Sequence, residues 1–300
     1  MSHHHHHHYD PATGVMRLTW AVAANIMLSV VQIAGGVISG SLSLIADALH
    51  NFSDAASLLL ALVAIKIGGR PSDNLRTFGY RRAEIVAALI NLTALSLIGF
   101  YLIMEAIQRF YAPEPIAGWT VILVAAVALI VDLFTAFLTW RQSKTSVNIR
   151  AAFLHNISDA MASVGVIIAG TLILLYGWVW TDAAITLLIA GYVIWQGFTE
   201  MPKVIHILME GTPESLNFDV VIAAMKDTEG VQGIHHVHIW KLDEHKNALE
   251  AHVVVGESSL ADIEVIKARL KSLLHERFEI GHSTLEIEIP GGCGEKGACH

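Results

Sequence analysis

Six stretches of about 20 mainly apolar residues dominate the chain, and each is long enough to cross a bilayer as a helix. They run over 16–38, 43–66, 84–106, 117–140, 151–176 and 181–200. Glycine and proline punctuate the gaps, as in Gly35-Gly36, Gly68-Gly69-Arg70-Pro71, Pro113-Glu114-Pro115 and Gly177. Only 15% of the residues are charged, well below the quarter or so of an ordinary soluble chain. The pattern predicts a membrane protein of six spanning helices.

Basic residues orient the spans. With the N-terminus inside, the inner segments hold Arg17, Lys66, Arg70, Arg76, Arg81, Arg82, Arg141, Lys144, Arg150 and Lys203, and the outer side has Arg109 alone near a helix end. Both termini are therefore expected in the cytoplasm. The acidic balance of −8 argues against a nucleic-acid partner. The two cysteines, Cys293 and Cys299, both in the tail, make no disulfide framework.

From about residue 204 the long apolar runs stop. An amphipathic helix over 217–229, strands over 234–241 and 249–255, a helix over 259–277 and a strand over 283–289 are expected. That order, αββαβ, describes a small α+β domain with its helices on one face of a sheet. The expected organisation is an N-terminal tail (1–14), a six-helix membrane domain (15–203), a cytoplasmic domain (204–290) and a C-terminal tail (291–300). His3 to His8 form one run directly after Met1-Ser2. It reads as a purification tag or as a native metal-collecting tract.

Two of the apolar helices carry ionisable residues. The second holds Asp47, His50 and Asp54, and the fifth holds His155 and Asp159. Both contain His-Asn-x-Ser-Asp, which stacks histidine and aspartate one turn apart on one helical face. An aspartate at the centre of a membrane helix costs about 3 kcal/mol, so such groups persist where they pair or line a polar cavity. Two imidazole nitrogens and two carboxylate oxygens make a four-coordinate set suited to tetrahedral Zn²⁺, with Co²⁺ or Cd²⁺ as near relatives. Magnesium prefers six oxygens. Whether the pairs meet is allowed, not forced, by the helix positions; the competing reading is a set of interhelical hydrogen bonds. Asp47, three residues before His50, is a candidate to orient that histidine. Asn25, Asn91 and Asp132 read as helix-packing residues.

Ala46-Asp47-Ala48-Leu49-His50-x-x-x-Asp54, His155-x-x-x-Asp159, the connector Arg70 to Glu84 and His238-Ile239-Trp240 together resemble the cation diffusion facilitator family over residues 15–290. The resemblance implies a homodimer in the inner membrane, a cytoplasmic ferredoxin-like domain, and metal efflux driven by inward proton movement. It implies a transport site of His50, Asp54, His155 and Asp159, whose two histidines go with zinc and cobalt. It also makes His235, His238, His252, His282 and Glu288 candidate ligands for regulatory metal in the cytoplasmic domain, with Cys293, Cys299 and His300 as additions from the tail. Strand alternation puts His236 and His238 on one face and His235 on the other. The loop after the second helix offers Asp73, Arg76 and Tyr80 but no histidine, so the second loop site of some members is expected to be missing. A secondary transporter is thus expected, not an enzyme. A membrane-anchored metal sensor or buffer without transport is the alternative. No His-Glu-x-x-His motif supports a metalloprotease.

Overall fold

The computed structural model describes residues 11–143, 147–243, 246–256 and 260–290. Six long helices come first: α1 (Pro11–Ser39), α2 (Leu42–Gly68), α3 (Ala83–Tyr111), α4 (Gly118–Ser143), α5 (Val147–Tyr176) and α6 (Trp180–Leu208). Then follow α7 (Phe218–Lys226), β1 (Val231–Lys241), β2 (Asn247–Val255), α8 (Leu260–Phe278) and β3 (Ile280–Glu288). Among the described residues, five helices, α2 to α6, are long and apolar enough to cross a membrane, and α1 adds the apolar stretch Asn25–Ser39. The described residues divide into two compact units: those up to Leu62 with Ile90–Glu200, and Val63–Leu89 with those from Met201 on.

The helical unit is apolar outside and small inside. Its buried side chains include Ala46, Ala48, Ala106, Ala125, Ala128, Ala169 and Ala190, while Ile38, Leu97, Phe137, Leu188 and Trp195 are exposed. In water such a surface would aggregate; against lipid tails it is solvated, and small residues let backbones approach. A Cβ on Gly197 of α6 would lie 2.6 Å from the Ser96 hydroxyl of α3, so a larger residue there would require Ser96 to turn its hydroxyl away. Gly40, at φ +73°, turns the chain from α1 into α2, a conformation that costs a side-chain-bearing residue about 1 kcal/mol. The sixth apolar run was expected to end near residue 200. Instead α6 continues through Pro202 to Leu208, although proline removes one hydrogen bond of the ladder.

In the second unit, the sheet order is β1-β2-β3, with β1 antiparallel and β3 parallel to β2. A parallel neighbour requires a crossover, and α8 supplies it. Ile266, Leu270, Leu274 and Phe278 repeat every four residues along α8 and are buried. They share a core with Val221, Ala224 and Met225 of α7 and with Ile234, Ile239, Leu249, Ala251, Val253 and Val255 of the sheet. These strand residues define the covered face. The opposite face carries His235, His252 and Glu288, through the pairings His235 with His252 and Val254 with Glu288.

Candidate metal centres

The His-x-x-x-Asp pairs of α2 and α5 come together. His155 Nε2 lies 3.2 Å from Asp54 Oδ2 and 3.5 Å from Asp159 Oδ2. His50 Nε2 lies 3.4 Å from Asp159 Oδ1 and 3.7 Å from Asp54 Oδ2. Each histidine thus faces the aspartate of its own helix and that of the other. The four-residue spacing stacks each pair on one side of its helix. Ligand atoms of His50, Asp54 and Asp159 all fall within 4.8 Å of one another.

Access is graded across the group. His50 and Asp159 side chains are 5% and 8% exposed, whereas Asp54 and His155 reach 26% and 37%. Both ring nitrogens of His50, Asp54 Oδ2 and Asp159 Oδ1 are buried without a hydrogen-bond partner. Buried polar atoms ordinarily have partners, so a cluster of unpaired donors and acceptors is what a bound cation would satisfy. Tyr192 of α6 stands edge-on to His50, with ring centroids 6.2 Å apart. As one of four aromatics in an apolar helix, it gave no signal of this in the sequence.

Asp47 does not orient His50. Its Oδ2 accepts from Gln32 Nε2 at 2.7 Å and from Ser163 Oγ at 3.4 Å, and His50 Nδ1 is left unpaired. Three residues of helix turn Asp47 by about 300°, towards α1 and Ser163 instead of the imidazole. Asp132 joins helices as a packing residue would, its Oδ2 lying 3.3 Å from the same Ser163 hydroxyl.

A second group lies on the open face of the sheet. His252 Nδ1 and Glu288 Oε1 are 2.6 Å apart, and His235 Nε2 lies 3.3 Å from Glu288 Oε2. Ligand atoms of His235, His252 and Glu288 all lie within 4.8 Å of one another. Glu286, not anticipated, approaches His252 Nε2 at 3.4 Å. The strand alternation read from the sequence fails at one point. Between His235 and His238 the register shifts, with His235 opposite His252 and His238 opposite Glu250. Three residues of β1 thus match two of β2, and His236 takes φ +51°. This bulge cancels the alternation and puts His235 and His238 on the same face. The His236 ring also comes within 4.8 Å of those of His238 and His252.

Two of the candidate ligands stay outside this group. His238 is exposed and neighbours the His236 ring. His282 pairs with Ala248, four positions along β2 from His252, and its ring meets Phe78 edge-on with centroids 5.7 Å apart. Four strand residues span about 13 Å, too far to share one ion. Cys293, Cys299, His300 and the run His3 to His8 lie outside the described residues.

In the connector between α2 and α3, Asp73 closes its own turn. Its carboxylate accepts from Tyr80 Oη at 2.6 Å and from the backbone N–H groups of Arg76 at 2.7 Å and Leu75 at 2.9 Å. The Tyr80 hydroxyl, with these amides, holds the Asp73 carboxyl below its ordinary value.

Residues 18–209 match the family described as the cation efflux transmembrane domain, and residues 213–289 match the cation efflux protein cytoplasmic domain. The "Cadmium, cobalt and zinc/H(+)-K(+) antiporter" of Bacillus subtilis (strain 168) is 38% identical over 86% of this chain and 84% of its own. "Metal cation efflux system protein CzcD" of Cupriavidus metallidurans is 34% identical over 93% of this chain and 88% of its own. "Zinc transporter ZitB" of Pectobacterium atrosepticum is 36% identical over 91% of this chain and 85% of its own. With both domains matched in order along nearly the whole length, the chain belongs to the cation diffusion facilitator family of metal cation transporters.

Proposed function

We propose that the chain exports Zn²⁺ from the cytoplasm in exchange for protons, by alternating access around His50, Asp54, His155 and Asp159. The observation that supports this most directly is the meeting of two nitrogen–oxygen pairs from separate helices, with their inner atoms buried and unpartnered. An N₂O₂ set suits tetrahedral zinc and accepts Co²⁺ or Cd²⁺ as close relatives. The relatives' names include all three metals.

In this reading α1 to α6 all span the inner membrane and both termini are cytoplasmic. Two copies pair, and the αββαβ unit is a ferredoxin-like cytoplasmic domain. Ligands bind metal in their deprotonated forms, so cytoplasmic Zn²⁺ displaces protons from the quartet. After the site turns outward, protons compete the metal off. Histidine is suited to this exchange because its ordinary pKa of about 6.5 lies near physiological pH.

His235, His252 and Glu288 are proposed as a regulatory metal site. Their grouping also favours a second reading, a membrane-anchored sensor or buffer that binds metal without moving it. Flux separates the two. Proteoliposomes loaded with a zinc dye should take up Zn²⁺ along an imposed pH gradient, and the double variant His50→Ala/His155→Ala should not. Zinc binding with no gradient-dependent flux in the parent protein would favour the sensor.

A further inference from the structure

Asp47 and Asp132 face each other across one hydroxyl. Ser163 Oγ lies 3.4 Å from Asp47 Oδ2 and 3.3 Å from Asp132 Oδ2. All three side chains are buried, with Asp47 and Ser163 at 0% exposure and Asp132 at 6%. Three helices contribute: α2, α4 and α5. None of the three residues belongs to the metal quartet, and Asp132 stands on a helix that supplies none of its ligands.

The donors do not suffice for two anions. A serine hydroxyl has a single hydrogen and can donate to one carboxylate only. Gln32 donates its amide to Asp47 Oδ2, and its own oxygen is taken by Asn51 Nδ2 at 3.2 Å. Asp47 Oδ1 is buried with no partner. The titratable groups facing Asp132 are Asp47, Asp159 and His155, and those facing Asp47 are Asp132, His50 and Asp159. Neither lysine nor arginine is among them. Two ionised carboxylates in such a place repel each other and lack solvation. One proton resolves both problems. The protonated carboxyl donates to Ser163 Oγ, and the serine donates onward to the ionised one.

We propose that Asp47, Ser163 and Asp132 form a proton-binding site distinct from the metal ligands, which holds one shared proton and releases it when a divalent cation enters the quartet. The proposal rests on the proton-exchange reading above and names where one of the exchanged protons resides. The link is electrostatic. Ser163 follows Asp159 by one turn of α5, and Asp47 precedes His50 by about one turn of α2. A double positive charge at that range favours the doubly ionised pair, and a buried interaction is little screened by salt. When the cation leaves, the pair takes up a proton again. Metal and proton thereby exclude each other without sharing a ligand atom.

Proton release on zinc binding reads this directly. The full chain in detergent is titrated with ZnCl₂ near neutral pH in two buffers of unlike ionisation enthalpy, giving protons released per zinc bound. Asp132→Asn should bind the same number of zinc ions and release about one proton fewer per protomer. Asp47→Asn should show the same loss, and the double variant no greater one, because a single proton is shared. Zinc on the soluble unit contributes equally throughout and cancels. Infrared difference spectra of the parent protein need no variant: zinc should remove a protonated-carboxyl band. An undiminished proton count in Asp132→Asn, the loss of a bound zinc, or no change in the carboxyl band would overturn the proposal. Failure of the exchange reading shows separately, as parent vesicles whose zinc flux ignores the pH gradient.

Discussion

The carboxylate of Asp182, two residues into α6, accepts the backbone N–H of Leu42 at 2.7 Å and so closes the first turn of α2. The Ser41 and Ser43 hydroxyls donate to the same carboxylate, each at 2.6 Å. Asp182 is fully buried, and its charge sits where the α2 dipole is positive. Helix α2 carries His50 and Asp54, so this cap from a different helix fixes where the proposed metal ligands begin. Asp182→Ala should leave these donors unsatisfied and destabilise the helical unit by about 3 kcal/mol. Asp182→Asn, which keeps one acceptor oxygen and loses the charge, should fall between. Thermal unfolding in detergent checks both; parent-like melting in both variants would mean the cap contributes nothing.

On the sheet, geometry groups some and not others of the four histidines and one glutamate that the sequence offers as candidate ligands. His252→Ala or Glu288→Ala should each remove one zinc per protomer from equilibrium binding by the full chain. The loss in affinity at that site should exceed the ~10–100-fold typical of outer-shell partners. His238→Ala and His282→Ala should leave the count unchanged, as neither lies with the His235, His252 and Glu288 ligand atoms. A lost zinc in His282→Ala would show that the group is drawn at the wrong end of β3.

The Asp73 turn carries a pH dependence of known sign. Its carboxyl titrates below its ordinary value because the Tyr80 hydroxyl and two amides bind the ionised form. The turn's stabilisation is therefore complete above the ordinary aspartate range and is lost as pH falls through the lowered value. Amide exchange at Leu75 and Arg76, corrected for intrinsic rates, should accelerate in that acidic window. Asp73→Asn should exchange faster at neutral pH and lose the acid-dependent step. Equal protection in both proteins at every pH would remove the carboxylate from the account.

Much of this was legible in the sequence, for physical reasons. The helices of the membrane unit announce themselves because a bilayer demands long apolar runs, and the His-x-x-x-Asp pairs stand out because ionisable groups are costly there. The αββαβ order followed from periodicity. What failed depended on contacts between distant residues. The bulge at His236 needs a residue at φ +51°, which no histidine-rich strand advertises, and one extra residue exchanges the faces of everything after it. Asp47 was assigned to His50 through nearness in sequence, while its partner Gln32 is fifteen residues away. Asp182 serves Leu42, 140 residues distant. Such pairings come from how helices pack, which residue spacing within one helix does not encode.

The two imidazoles of the quartet should set both metal preference and proton count, and one substitution tests them together. His50 Nε2 lies 3.4 Å from Asp159 Oδ1 and 3.7 Å from Asp54 Oδ2, so an aspartate at position 50 would turn an N₂O₂ set into one nitrogen and three oxygens. Carboxylate ligands suit harder ions, and imidazole suits zinc. His50→Asp should weaken zinc binding by about 10–100-fold relative to Mn²⁺ in a competition titration. It should also flatten the pH dependence of zinc affinity, because one imidazole fewer must lose a proton before the metal binds. An unchanged metal order with an unchanged pH slope would mean that His50 is not a ligand and that its buried nitrogens answer to some other partner.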